Sequence, residues 1–127
     1  AMAPYLHGGQ ILDRQGNSRR FARFLKDGGA VVIVGDLPPD PNESPLPIDI
    51  FSKTRELASG AERMARMVKV PLLSFVCEYT SKGYRVTFSS VDGRPYELLE
   101  KHISINPAGW WAADLLPLFP LVQEADC

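Results

Sequence analysis

Histidine is the commonest general base near neutral pH, so the two histidines are the first residues to weigh as chemistry. An acyl-transfer base also needs a carboxylate to orient it, and a His-x4-Asp or His-x4-Glu spacing would supply one. The fifth residue after His7 is Leu12, and Asp13 falls one place late. On a strand that slip turns the carboxylate to the opposite face. His102 stands beside Leu98, Leu99 and Ile103, with Glu97 and Glu100 nearby but placed by no recognisable motif. Both histidines are therefore read as structural or incidental, and no catalytic residue is assigned.

Four cations, Arg19, Arg20, Arg23 and Lys26, crowd one short segment. Guanidinium groups grip phosphate or carboxylate in a fork, and helix-start amides favour anions. Asp36 follows the apolar run Ala30–Val34. A strand of an open α/β sheet gathers ligands at its C-terminal end, so this carboxylate could bind a polar substrate group or anchor a basic side chain. Trp110 and Trp111 are adjacent, with Leu115, Leu116, Leu118, Phe119 and Leu121 beyond. Indoles suit a half-wet boundary, so these two tryptophans either touch lipid or pack on the sheet. Cys77 lies in an apolar run and Cys127 ends the chain. They form neither a disulfide framework nor a metal motif, and Cys77 reads as a buried thiol. No metal or cofactor is implied.

The composition bounds these readings. The chain has 127 residues, 45% of them apolar and 23% charged, enough for one domain spanning 1–127. Fourteen Lys+Arg against fifteen Asp+Glu give a formal net charge of -1, which argues against nucleic acid as the main partner. No apolar run reaches the roughly 18 residues that a membrane span requires. Ala1 precedes Met2 as a tag remnant would, and residues 1–9, with Pro4 and Gly8-Gly9, read as poorly ordered or tag-derived.

Elements must position the candidates. Gln10–Asp13 reads as a short strand. Phe21, Phe24 and Leu25 recur at helical spacing after a Gly16-Asn17-Ser18 turn, and Gly28-Gly29 stops that helix. Ala30–Val34, continuously apolar, reads as a strand covered on both faces. Residues 36–47 form a loop, since the stretch Gly35–Pro47 holds five of the eleven prolines. Ile48–Phe51 reads as a short strand. Ser59-Gly-Ala-Glu62 reads as a capping box opening a helix with Ala61, Met64, Ala65 and Val68 on one stripe. Val70–Cys77 is the most apolar run and the expected central strand. With the alternating Tyr84, Val86 and Phe88 it forms an antiparallel hairpin. A helical stretch around Leu98–Ile103 follows, then Asn106-Pro107 as a cap, and 117–127 reads as a tail. The expected fold is α/β, a mostly parallel sheet with an antiparallel edge hairpin and flanking helices.

The order of these motifs resembles the middle and C-terminal part of the lauroyl/myristoyl acyltransferases of lipid A biosynthesis. Arg19-Arg20-x-x-Arg23-x-Leu25-Lys26-Asp-Gly28-Gly29 leads into Val31–Asp36. Ile48–Phe51, Ser59–Ala65, Val70–Leu72, Gly83–Val86 and Asn106-Pro107-x-x-Trp110 then follow in the family's order. The resemblance runs from about Ile11 to Trp111. It implies half of a glycerolipid acyltransferase fold, and transfer of an acyl chain from acyl carrier protein to a lipid A precursor or similar glycolipid. The place implied is the bacterial cytoplasm, at the inner membrane surface. The family's His-x4-Asp/Glu lies upstream of the arginine helix, where only about ten residues stand here, so the base is expected to be missing and this chain alone to be inactive. Carried over, Arg19, Arg20 and Asp36 belong to the substrate cleft; Arg23 joins them as a candidate from the same basic cluster, and Trp110 and Trp111 are candidates for lipid contact through their indoles. The alternative is a non-catalytic, stand-alone binding or interaction module. Under either, half a sheet exposes apolar surface, which a homodimer would cover.

Overall fold

Ile48 and Ile50 alternate with Pro47 and Asp49, and this two-residue period buries both isoleucines while leaving the aspartate in solvent. They belong to β1 (Leu46–Ile50), which pairs antiparallel with β2 (Lys53–Leu57) in the register Leu46 to Leu57 and Ile50 to Lys53. The computed structural model describes residues 9–10 and 16–123. His7, Cys127 and residues 11–13 of the expected Gln10–Asp13 strand lie outside the described residues. The chain divides into two compact units, Ala1–Val32 and Ile33–Cys127.

The first unit contains α1 (Ser18–Lys26), which ends as expected at Gly28, held at φ +89°. It is strongly amphipathic, yet none of its residues is buried.

In the second unit, β1 and β2 are followed by α2 (Gly60–Val68), the hairpin β3 (Leu73–Thr80) with β4 (Gly83–Ser90), and α3 (Glu97–Ile105). Two short 3-10 turns, Pro107–Gly109 and Ala113–Leu118, complete it. The core gathers Ile48, Ile50 and Leu57 from the first hairpin, Ile103 from α3, and Trp110, Ala112 and Phe119 from the C-terminal segment. That segment is more than a tail. Val122 N–H donates to Thr54 carbonyl at 3.0 Å, Glu56 N–H donates to Pro120 carbonyl at 2.8 Å, and the Arg55 guanidinium donates to the Leu116 and Phe119 carbonyls at 3.1 and 2.9 Å.

The expected parallel sheet is not formed. Among the described residues there are two separate two-stranded sheets, β1–β2 and β3–β4, both antiparallel. Residues 30–34 are not a strand, and Val32, Ile33 and Val34 are exposed. Each hairpin closes on itself through a two-residue loop, the least costly closure a strand pair can make, whereas a parallel pairing needs a long crossover. Val70–Cys77 accordingly yields an edge strand in place of a central one, beginning at Leu73, and Cys77 is exposed rather than buried. The β3–β4 hairpin itself is as expected.

Candidate functional site

Asp36, at the start of the proline-rich loop, accepts a hydrogen bond from the Trp110 indole N–H at 2.9 Å. The contact joins residues 74 positions apart. Asn106-Pro107 builds the turn that delivers Trp110, whose buried ring stacks on Phe119 with centroids 5.8 Å apart. Next to this pair, the Tyr96 hydroxyl lies in hydrogen-bond reach of the Gly35 carbonyl, at 2.6 Å, and of the Ala58 carbonyl. Ala58 N–H donates in turn to the Leu37 carbonyl at 3.0 Å. The beginning of the loop is thus stitched to the end of β2 and to the beginning of α3.

The far part of the loop is tied to α2. The Glu43 carboxylate accepts from the Ser59 backbone N–H and, at 3.0 Å, from its hydroxyl, while its second oxygen accepts from Asp40 N–H at 2.8 Å. This changes the expected capping box. Ser59 is the N-cap of α2 but makes no side-chain cap bond, and Glu62 pairs with Arg66 at 3.5 Å instead of reaching back. A carboxylate from the loop thus takes the Ser59 N–H, the one donor of the expected box to which Glu62 would have reached back. Between loop and helix opens a cavity of about 310 Å³ lined by Asn42, Ser44, Ser59, Glu62, Arg63 and Arg66, with Pro45 and Leu46. Its volume is at the low end for ligand sites, and its polar lining, in which Glu62 pairs with Arg66 beside Arg63, suits a sugar-like group better than an acyl chain. Sequence reasoning missed Arg63 and Arg66, because nothing in the loop's composition announced that it folds back over α2.

Arg19, Arg20 and Arg23 are exposed on α1 in the first unit. Arg19, Arg23 and Lys26 recur at i, i+4, i+7 and so share one side of the helix, and Arg20 donates to the Gln10 side-chain carbonyl at 3.2 Å. Asp36 belongs to the second unit. Of the two indoles, Trp110 is 3% exposed and packs inside, whereas Trp111 is 63% exposed. His102 Nδ1 stands 4.0 Å from Glu78 Oε1, beyond hydrogen-bond range for a base and its orienting carboxylate. Among the described residues no cluster of three His, Cys, Asp or Glu could hold a metal ion, and no helix is long and apolar enough to cross a membrane.

Comparison with known proteins finds no matching family model, no matching curated protein and no matching solved structure.

Proposed function

We propose that this chain forms the acceptor-binding part of an acyltransferase that moves an acyl chain from acyl carrier protein to a lipid A precursor or similar phosphorylated glycolipid. The reaction would take place at the cytoplasmic surface of a bacterial inner membrane. Among the described residues no histidine has a carboxylate within hydrogen-bond range to orient it as the general base. The order of motifs along the chain supports this reading, without the parallel sheet that the same resemblance implied. The observation that carries it is the Asp36–Trp110 hydrogen bond. Two motifs remote in sequence meet there, and the loop they hold borders the cation-bearing cavity next to Ser59.

The test is titration of the chain with a phosphorylated, acylated glucosamine disaccharide in detergent. Wild type binds, and Arg63→Ala, which removes a cation lining the cavity, lowers the affinity about fivefold, the loss of one exposed charge-assisted hydrogen bond. Unchanged affinity in Arg63→Ala removes the cavity beside α2 from the site, and no binding by wild type overturns the reading. With an acyl carrier protein-linked donor added, the chain alone gives no transfer; turnover that His7→Ala abolishes would show that the base is present after all.

A further inference from the structure

In the β3–β4 hairpin, side chains alternate between two faces. One face carries Ser74, Val76 and Glu78 of β3, all partly covered, and α3 packs against this strand. The opposite face is covered by none of the described residues of its unit. It consists of four cross-strand rows: Leu73 with Ser90, Phe75 with Phe88, Cys77 with Val86, and Tyr79 with Tyr84. The aromatic rows are paired, with ring centroids 5.5 Å apart for Phe75–Phe88 and 5.3 Å for Tyr79–Tyr84. Tyr79 and Tyr84 are 77% and 79% exposed, and Phe88 is 64% exposed. Such rings bury some 150–250 Å² each when covered, so the face offers about 700 Å² of mostly apolar surface. That exceeds the largest apolar patch of a typical monomer and approaches the roughly 800 Å² per partner of a stable interface.

We infer that this face is a homodimer interface, in which two copies stack hairpin on hairpin about a two-fold axis. The axis crosses the strands between the Phe75–Phe88 row and the Cys77–Val86 row. The order of the rows argues for a second copy. Along the hairpin a small row, Leu73–Ser90, is followed by a large one, a small one and a large one. A two-fold axis at that place reverses the order in the partner. Each large row then meets a small row: tyrosines over leucine and serine, phenylalanines over cysteine and valine. Sheets packed about 10 Å apart need this alternation of bulk to interdigitate. The patch is self-complementary, as an isologous interface must be, and the contact closes at two copies. The face carries no lysine or arginine to meet anionic headgroups, so a lipid surface is the poorer occupant.

Sedimentation equilibrium of the full chain under reducing conditions tests this. Over about 1–100 μM, a range that spans typical moderate affinities, the mass rises from 14.1 kDa to twice that value. Phe88→Lys weakens the dimer about 100-fold or more, with an unchanged far-UV spectrum. Cys77→Phe is the sharper variant and stands in should Phe88→Lys fail to fold. It adds apolar surface, so unspecific stickiness would strengthen association, whereas matched rows set the new ring against the partner's phenylalanine and weaken it. A wild type that stays monomeric, a mass beyond the dimer, a Phe88→Lys variant that still dimerises, or tighter association of Cys77→Phe each overturns the assignment. So does a monomer that instead binds neutral or anionic vesicles through this face.

Discussion

The two hairpins of the second unit invert what their residues suggest. β3 begins in the most apolar run of the chain, yet its aromatic face is open to solvent. β2 reads Lys-Thr-Arg-Glu-Leu, with one apolar residue in five, yet it stands in the core with Leu57 fully buried. The difference lies in what covers each. β1–β2 has α3 and the Trp110–Phe119 segment on it, and its polar side chains find partners: Arg55 reaches two carbonyls of the C-terminal segment, and Thr54 donates to Asp49 across the hairpin at 2.7 Å. β3–β4 has α3 on one face only. An apolar strand creates a demand for cover, and whether its own chain meets it depends on the elements that pack on it.

The comparison breaks most sharply on paired truncations. Phe119→Ala removes a ring that is 1% exposed and stacked on Trp110. It should cost about 3–5 kcal/mol, a large share of the stability of a domain this size. Phe88→Ala removes a ring of the same size from the open hairpin. Measured at sub-micromolar concentration, where the chain is monomeric, it should cost about 0.5–1 kcal/mol, the worth of its contact with Phe75. Urea unfolding of both variants gives the ratio, and similar losses would mean that the hairpin face is covered within the chain itself.

How much of this was legible depends on how local the cause was. α1 and the β3–β4 hairpin rest on short-range signals, namely Phe21, Phe24 and Leu25 at helical spacing, Gly28 at a left-handed helix end, and the alternation of Tyr84, Val86 and Phe88, and both are present; α2 is present with its Ala61, Met64, Ala65 and Val68 stripe but without the capping box. The parallel sheet needed a strand at 30–34 to find a distant neighbour, and apolar character alone could not say whether one exists. The β1–β2 hairpin was half seen. Its turn is Phe51-Ser52, both residues at positive φ (51° and 62°), where Asn-Gly or Asp-Gly would have announced it. Asp36 stands out by its place before the loop, but the two readings of Trp110, lipid contact or packing, give no sign that the two residues meet. Their meeting across 74 residues has no local signature. Glu43 as the cap of α2 was invisible for the same reason, because an acidic residue in a proline-rich loop looks like any solvated charge.

A second prediction separates the role of Asp36 in holding the core from a role in binding. Asp36→Ala leaves the buried Trp110 N–H without an acceptor and should cost about 1–3 kcal/mol, whereas Asp36→Asn keeps an acceptor oxygen and should cost well under about 1 kcal/mol. Thermal unfolding reads both. If Asp36→Asn leaves stability intact but weakens the glycolipid titration, the charge acts on the ligand. If it changes neither, Asp36 belongs with the core hairpin as an anchor and leaves the list of ligand contacts.

The smallest effect tests the turn that lets the core hairpin exist. Type I′ geometry, with positive φ at both central residues, matches the right-handed twist of the strands, but a side chain in the left-handed region costs about 1–2 kcal/mol because its Cβ crowds the backbone. β1–β2 accepts that cost at both Phe51 and Ser52 because Ile50 and Lys53 must pair directly across a two-residue loop. Ser52→Gly removes the crowding and adds unfolded-state freedom, which offsets part of the gain. The net stabilisation should be about 0.5–1 kcal/mol, a rise in Tm of about 2–5 °C. The same exchange on the other hairpin, Lys82→Gly, has no positive φ to relieve and should lower stability slightly through chain entropy alone. Opposite signs at the two turns would place the strain in the buried hairpin. Equal signs would mean that Phe51-Ser52 relaxes to another turn in solution, and with it the register that puts Ile48 and Ile50 in the core.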